Sequence, residues 1–287
     1  MALNVPTKAE FLVPRLKRAL LCVILVLVLI PTDSRGNEND QYIINPANDI
    51  SLSLTALLTT GIGTYLFSQM QIPDNRNRKS TSDLFFWDRK FAGRYSETAD
   101  LMSDVGSLLA VTPLAIGGAA LYSGNSSKEQ FWTFTLMFSQ ALLFQHGINV
   151  AFRSMEVWPR PYIFATEGKG KKKAEEAEAE AYGSFFSGHA SAAFTVAVFT
   201  SEWFNETHTN PDAQRVVRAL AFSLAGFESV LRVAAGKHYP TDILVGAAIG
   251  TGVSYGILEM HKKKNQMYSL WVGPSAAGIT FNFENFL

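Results

Sequence analysis

The chain lacks the features that define several classes of protein. It has a single cysteine, Cys22, so no disulfide can form within it. No Cys-x-x-Cys or His-x-x-x-His pattern is present, so the sequence offers no recognisable zinc site. Its 25 Lys and Arg residues are balanced by 25 Asp and Glu residues, and the lack of a basic excess argues against a nucleic-acid partner. A disulfide scaffold, a zinc protein and a nucleic-acid-binding protein are thereby disfavoured.

The N-terminus lacks an apolar run long enough to cross a membrane. Basic residues precede the run ALLCVILVLVLIP, which has thirteen residues and ends at Pro31, whereas a span needs about 20 apolar residues. A basic region followed by a run of this length is typical of an export signal. Because the following TDSRG is a poor cleavage site, we predict that residues 1–36 are either an export signal or an uncleaved N-terminal anchor.

What the sequence does contain is a series of apolar segments. The hydrophobic share is 47% and the mean hydropathy is +0.08, which is high for a soluble protein and low for one made mostly of lipid-facing helices. The segments are rich in Leu, Ala, Phe and Gly, lack strict alternation and are too long for ordinary strands, so they are predicted to be helices. They cover about 48–69, 103–122, 131–152, 189–204, 217–235 and 241–260.

Charges within these segments leave two architectures open. Glu202 interrupts the fourth segment, and Glu228 and Arg232 interrupt the fifth. A charge is costly in lipid unless it is paired or functional. The third and sixth segments are therefore the best candidates for membrane spans. The chain is either a membrane-embedded bundle or an exported soluble bundle with an apolar core.

Two further segments complete the predicted organisation. Residues 162–183 contain KGKKKAEEAEAEA, which indicates a solvated insert that is helical or flexible. Residues 267–283 contain two β-like runs around a Pro/Gly turn, which is typical of a hairpin. The predicted fold class is all-α: a six-helix bundle at 48–262, preceded by the signal or anchor and followed by a short β-like tail at 263–287.

Three short motifs lie at the ends of the predicted helices. They are FRSMEVWPRPY before the insert, FFSGHAS at the start of the fourth segment, and LRVAAGKHYPTD between the fifth and sixth. Gly236 is suited to end one helix and Pro240 to begin the next. In an up-down bundle these ends meet on one side, so we expect one pocket. Its residues are Arg153, Arg160, Ser187, Gly188, His189, Arg232, His238 and Asp242.

This combination of residue types points to phosphoryl transfer. Three guanidinium groups can hold a dianionic phosphate with forked donors. A neutral histidine can attack phosphorus while a carboxylate fixes its tautomer, and a second histidine can protonate the leaving oxygen. Positioning and charge stabilisation are sufficient for this chemistry, so we predict neither a metal nor another cofactor.

The pattern resembles that of the type 2 phosphatidic acid phosphatase superfamily, which also includes bacterial class A acid phosphatases and vanadium haloperoxidases. The superfamily pattern is K-x6-R-P, then P-S-G-H, then S-R-x5-H-x3-D. This chain has R-x6-R-P at 153–161, S-G-H at 187–189 and R-x5-H-x3-D at 232–242, in the same order and with the same spacing. The resemblance covers about 130–260.

The chain departs from the superfamily pattern at three positions. Arg153 stands in place of Lys, Phe186 in place of Pro, and Leu231 in place of Ser. None of these replaces the nucleophile or the acid that the resemblance implies, so activity is not excluded.

The resemblance also implies a role for each site residue. His238 is the nucleophile that forms a phosphohistidine, Asp242 orients it, and His189 is the general acid and then the base for water. The phosphate is held by Arg153, Arg160, Arg232, Ser187 and the Gly188 N–H.

Outside the motifs, the polar residues of the helices are predicted to have structural roles. We expect Glu228, one turn before Arg232, to pair with it. His146 is expected in the core or between helices, and His208 and His261 in solvent. Residues 87–89 are expected to pack a loop.

The function expected from these features is hydrolysis of a phosphomonoester or diphosphate, on a lipid in the cell envelope, with the active site facing the periplasm or exterior. The substrate is then a lipid or small-molecule phosphate and the membrane is a partner. The alternatives are a soluble periplasmic acid phosphatase, a vanadium haloperoxidase and a non-catalytic membrane protein.

Overall fold

The structure, a computed structural model, describes residues 41–73, 79–155 and 158–262 and two strands beyond them. The predicted signal or anchor at 1–36 lies outside these residues. The strands β1 (Tyr268–Val272) and β2 (Ala277–Phe281) are paired antiparallel. The α-helices are α1 (Pro46–Ser68), α2 (Glu97–Gly106), α3 (Thr112–Tyr122), α4 (Lys128–Arg153), α5 (Gly168–Glu175), α6 (Gly188–Thr207), α7 (Pro211–Ala234) and α8 (Pro240–His261).

The predicted apolar segments correspond closely to these helices. Five of them each coincide with one helix, and the second is divided into α2 and α3 by a 3-10 turn at Ser107–Val111. The all-α fold class is therefore confirmed for the described part of the chain.

Local sequence signals set the helix ends. Ser127 accepts a hydrogen bond from the Gln130 backbone N–H at 3.1 Å, and the Gln130 side chain accepts one from the Ser127 N–H at 3.0 Å, which is a capping box at the start of α4. The Asn210 side chain caps α7. As predicted, Gly236 follows the end of α7 in the left-handed region with φ 69°, and Pro240 begins α8.

The core forms where α4 packs against α1, α6 and α8. Phe134 of α4 stacks on Trp203 of α6 with ring centroids 5.0 Å apart. Glycines allow α8 to lie very close to the start of α6. A Cβ atom added at Gly246 would lie 2.5 Å from the Ser187 carbonyl oxygen. A Cβ atom added at Gly250 would lie 2.1 Å from the Ser191 carbonyl oxygen. This close approach fixes the start of α6 against the first turns of α8.

The outer faces of the helices are largely apolar. On α1, Ile50, Leu54, Leu58 and Ile62 are exposed, and α7 has a similar exposed row. Among the described residues, three helical stretches are long and apolar enough to cross a membrane: Pro46–Ser68, Glu97–Tyr122 and Pro240–His261. These stretches support association with a membrane.

The three membrane candidates differ in part from the sequence prediction. They include the sixth predicted segment but not the third, which corresponds to α4. That helix is central in the bundle, and its Gln140, Gln145 and Asn149 are buried among the other helices. The charges of the fourth and fifth segments also point inward, since Glu228 and Arg232 are buried and Glu202 pairs with Arg218.

The charged insert is folded against the motif-bearing ends of the helices. It contains α5 and two 3-10 turns, Pro161–Phe164 and Ala179–Tyr182, whose tyrosines are buried together. The Arg160 N–H donates to the Ala181 carbonyl at 2.8 Å, and the Tyr162 N–H donates to that of Gly236 at 3.2 Å. The two ends of the insert are thereby tied to the first and third motifs.

His261 lies at the opposite end of the bundle and is buried, so its prediction as a solvated residue is wrong. Its Nε2 lies 2.5 Å from Asp49 Oδ1 and its Nδ1 lies 2.8 Å from the Ile257 carbonyl oxygen. Gln140 also donates to Asp49, at 3.2 Å. Asp49 is 212 positions away in sequence, so the local sequence does not reveal this partner. The lysines next to His261 therefore led to the wrong prediction.

Candidate active site

The three motifs meet at one end of the bundle, as predicted. A cavity of about 500 Å³ opens there between the ends of α4 and α7 and the starts of α6 and α8. Ser187 and Asp242 lie directly behind it, fully buried, where the Ser187 N–H donates to the Asp242 carbonyl at 3.0 Å. The predicted site residues that line the cavity are Arg153, Arg160, Gly188, His189, Arg232 and His238.

Three guanidinium groups have unused donors at this cavity. Among the described residues, Nη2 of Arg153, Nε of Arg160 and Nε of Arg232 are buried atoms without a hydrogen-bond partner. A buried donor that stays unpaired costs free energy. Three such donors around one cavity are therefore the arrangement expected for an anion, and a phosphate has oxygens for all of them.

Arg153 is held by contacts that depend on its guanidinium group. Its Nε donates to the Gly183 carbonyl at 2.9 Å, and its guanidinium carbon lies 4.4 Å from the centroid of the Phe67 ring. A planar guanidinium can lie flat on a ring while its donors, on three separate nitrogens, reach out in the ring plane, whereas a lysine carries all its donors on one compact nitrogen. The presence of arginine at this position, instead of the lysine of the superfamily pattern, thus has a structural reason.

His238 is buried beside a carboxylate and a hydroxyl. Its Nδ1 lies 3.4 Å from Asp242 Oδ2 and 3.5 Å from Ser184 Oγ. Ser184 donates to Asp242 Oδ2 at 2.5 Å, and the Tyr239 N–H donates to the same oxygen at 2.9 Å. The carboxylate therefore faces Nδ1, and in the Nδ1–H tautomer the other ring nitrogen, Nε2, keeps its lone pair.

The environment keeps both histidines neutral. Burial, and then the Arg160 and Arg232 guanidiniums, hold the pKa of His238 well below its usual 6.5. Burial and the same cations, Arg232 first, also lower the pKa of His189. A neutral His238 is competent as a nucleophile. A bound anion would raise the pKa of His189 and so favour its protonated form.

The start of α6 combines a helix cap with an anion-binding geometry. The Ser187 hydroxyl accepts a hydrogen bond from the Ala190 N–H at 3.3 Å, so it caps the helix. Gly188 follows in the cavity lining, where its N–H and the helix dipole favour an anion. Asn149 of α4 holds this turn by donating to the Phe186 carbonyl at 2.6 Å.

Comparison with family models identifies the fold around this site. Residues 131–266 match the model of the PAP2 superfamily. This part of the chain, 131–266, belongs to the PAP2 superfamily. This is the superfamily of type 2 phosphatidic acid phosphatases and haloperoxidases. Membership in it indicates a phosphatase-like function. Searches of curated proteins and of solved structures found no match.

The PAP2 match contains all three motifs but not α2, which adds carboxylates to the site. The Arg232 Nη1 donates to Ser103 Oγ at 2.8 Å and to Asp104 Oδ1 at 3.1 Å, and it lies 3.6 Å from Asp100 Oδ1. The expected partner, Glu228, lines the cavity instead and forms no ion pair with Arg232 among the described contacts.

Several residues of this PAP2 site were not predicted from the sequence. Ser184, Asn149 and the α2 carboxylates belong to no motif, and nothing in their local pattern distinguishes them from ordinary polar residues. His146, which we expected in the core or between helices, lines the cavity. Within the described residues, no cluster of three or more His, Cys, Asp or Glu side chains could hold a metal ion.

The loop at 87–89 packs against the start of α8, in agreement with its predicted role. Asp88 is buried and accepts a hydrogen bond from the Thr241 N–H at 3.3 Å, and Trp87 Nε1 donates to the Thr241 hydroxyl at 2.5 Å. These contacts support the first turn of α8, which carries Asp242.

Proposed function

We propose that this protein is a metal-independent phosphatase that removes phosphate from a lipid through a phosphohistidine intermediate. The observation that carries the proposal is the continuity of a three-guanidinium site with an apolar groove in one cavity. A phosphate group and a hydrocarbon chain on the same molecule would occupy the two parts together.

The first chemical step uses the pair of histidines on opposite sides of the phosphate. Nε2 of His238 attacks phosphorus, the N–P bond forms, and the bond from phosphorus to the leaving oxygen breaks. His189 gives its proton to that oxygen. The charge on the phosphoryl oxygens is stabilised by Arg153, Arg160 and Arg232, which line the cavity.

The second step returns both histidines to their starting state. His189 takes a proton from water as the water oxygen attacks phosphorus. The N–P bond breaks, His238 regains its Nε2 lone pair, and inorganic phosphate leaves. Throughout, Asp242 holds the Nδ1 side of His238 and stabilises positive charge on the ring.

The groove is long enough for a substantial part of a hydrocarbon chain. It continues from the phosphate site between α6 and α7, past Ala193 and Val196 on one side and Leu220 and Leu224 on the other. Its α7 wall runs from Glu228 to Val217, which corresponds to ~16 Å at the usual helical rise. A soluble phosphate ester has no need of such a groove, so we favour a lipid substrate.

Phosphate release is the direct test of the proposed activity. The purified full-length protein is assayed without added metal on phosphatidate, a polyprenyl diphosphate and p-nitrophenyl phosphate. We expect release from a lipid substrate, inhibition by vanadate, and loss of turnover in His238→Ala. The control is His208→Ala, which removes a ring that stacks on Phe204 far from the motifs.

The outcomes separate the proposal from its alternatives. Release from p-nitrophenyl phosphate with no preference for a lipid would indicate a soluble-type acid phosphatase. Near-normal turnover by His238→Ala, with a folded protein, would remove the assigned nucleophile. No release from any substrate would contradict the proposed activity.

We also propose that the protein lies in the cell envelope with the site facing the periplasm or exterior. The apolar helix surfaces support the membrane location. The test uses Glu175→Cys in α5 and Thr209→Cys in the loop between α6 and α7, each without Cys22. An impermeant thiol reagent added to intact cells should label the first and not the second. Protection of Glu175→Cys would contradict this orientation.

A further inference from the structure

Helix α2 places an exposed carboxylate beside two residues that line the cavity, His189 and Arg232. Asp104 Oδ1 lies 3.1 Å from Arg232 Nη1 and 3.8 Å from His189 Nε2, while the Asp104 side chain is 62% exposed. This helix precedes the residues that match the superfamily model. The carboxylate therefore belongs to none of the three motifs, yet it touches two of their side chains.

Asp100, one turn earlier on the same face, has a different environment. Its side chain is only 15% exposed, and it lies 2.9 Å from Lys237 Nζ and 3.6 Å from Arg232 Nη1. Asp100 is thus an internal counter-ion for two cations. It leaves Asp104 as the carboxylate of this pair that faces the open side of the site.

The two contacts of Asp104 show where it lies relative to the leaving oxygen of the proposed reaction. In the proposed mechanism, His189 delivers its proton to the leaving oxygen, so that oxygen comes within hydrogen-bond distance of the His189 ring. A carboxylate 3.8 Å from His189 Nε2 in the free protein is consequently on the leaving-group side. The part of the substrate bonded to the leaving oxygen must pass close to it.

The charge on the leaving group therefore affects how well the substrate binds beside Asp104. A phosphomonoester releases an alcohol, which is neutral once protonated. A diphosphate releases a second phosphate group, which is anionic. A negative charge within several ångströms of a carboxylate is repelled.

We propose that Asp104 is a specificity-determining residue that favours phosphomonoesters of neutral or cationic alcohols over diphosphates. This inference rests on the proposed phosphatase function. It narrows the substrate to a lipid phosphomonoester and gives a role to an acidic residue outside the motifs.

The test compares two substrates in one micellar assay of the full-length protein. The ratio of kcat/KM for phosphatidate to kcat/KM for a polyprenyl diphosphate is measured for the wild type, Asp104→Asn and Asp104→Ser. We expect the wild type to prefer phosphatidate and both variants to shift the ratio toward the diphosphate by about tenfold. The control is Glu97→Gln, an exposed carboxylate two turns away on the same helix that pairs with Lys169, and it should leave the ratio unchanged.

A purely structural role of Asp104 would give a different result. If Asp104 only orients Arg232, or only competes with phosphate for the site, its removal changes both rates by the same factor and the ratio stays constant. A constant ratio would overturn the proposal, and so would a wild type that prefers the diphosphate.

A binding measurement separates failure of this inference from failure of the proposed function. Inorganic phosphate and pyrophosphate are titrated against the same proteins by calorimetry. Asp104→Asn should strengthen pyrophosphate binding relative to phosphate binding by about tenfold even if no substrate is turned over. An unchanged relative affinity would overturn the role of Asp104, whereas absent turnover with the expected shift would overturn only the catalytic assignment.

Discussion

At the scale of single residues, Arg153 shows how a departure from a motif can be accommodated. Its guanidinium donates to Gly183, stacks on Phe67 and still has a buried donor free for an anion. We expect Arg153→Lys to lower kcat/KM about tenfold, mainly through KM, because one ammonium nitrogen cannot replace a planar group that stacks on Phe67, donates to Gly183 and has a further donor for the anion. Arg218→Lys is the matched control, since Arg218 pairs with Glu202 away from the site. An unchanged kcat/KM for Arg153→Lys would refute this account.

The depressed pKa of His238 predicts the pH range of activity. Protonation of the ring blocks nucleophilic attack, so the rate should fall only when the pH drops below the lowered pKa. Because burial and two arginines hold that pKa below 6.5, kcat/KM should remain high as the solution is acidified through pH 6.5. The pH profile of kcat/KM for the wild type measures this directly. An acidic limb centred at or above pH 6.5 would disprove it.

Ser184 offers a test of how His238 is oriented. It donates to the carboxylate of Asp242 and does not line the cavity. We expect Ser184→Ala to lower kcat about tenfold with little change in KM, because Asp242 loses a donor that fixes its position. Ser254→Ala, which removes a buried hydroxyl farther along α8, should have near-normal kinetics. A rise in KM alone would place Ser184 in substrate binding instead.

The motif residues of the site could be predicted from spacing, but their supporting residues could not. Arg232, His238 and Asp242 match the spacing of the superfamily pattern, and Gly236 and Pro240 mark the turn between the two helices that carry them. Ser184 is one of many serines in the chain, and its role arises from a contact with a residue 58 positions later. Long-range contacts of this kind have no local signature.

At the scale of secondary structure, the pairing of α6 and α8 depends on glycine. A Cβ at Gly250 would lie 2.1 Å from the Ser191 carbonyl oxygen, whereas one at Gly252 meets nothing within 4 Å. Gly250→Ala should therefore lower the thermal unfolding temperature, with a loss of about 1–3 kcal/mol typical of overpacking. Gly252→Ala should not, since it also favours the helix. The comparison is made by thermal unfolding in detergent, and equal unfolding temperatures would argue against the close packing.

The helices were predictable because length and composition distinguish them from strands. Gly236 and Pro240 further located the end of α7 and the start of α8. The break at Ser107–Val111 was missed, because hydropathy is continuous across it. The folded structure of the insert was also missed. Lysine and glutamate dominate its composition, and the few buried residues that anchor it are scattered along the segment.

At the scale of the whole molecule, the distribution of charge favours association with a membrane. Charges within the apolar segments could have argued for a soluble bundle. In the structure, Glu228 and Arg232 are buried around the cavity, and the outer surface of the bundle stays apolar. Sequence hydropathy averages both faces of a helix, so it could not show which face carries the charge.

The contact between Asp49 and His261 joins the first described helix to the last. The Ile43 N–H also donates to the His261 carbonyl at 2.9 Å, so the beginning and the end of the bundle close on each other. During translation, almost the whole chain must be synthesised before His261 is available to pair with Asp49 of α1. A prematurely terminated chain that lacks α8 would leave Asp49 without His261 and would also lack Asp242. Incomplete translation products that stop before α8 should therefore lack both the closed bundle and the complete site.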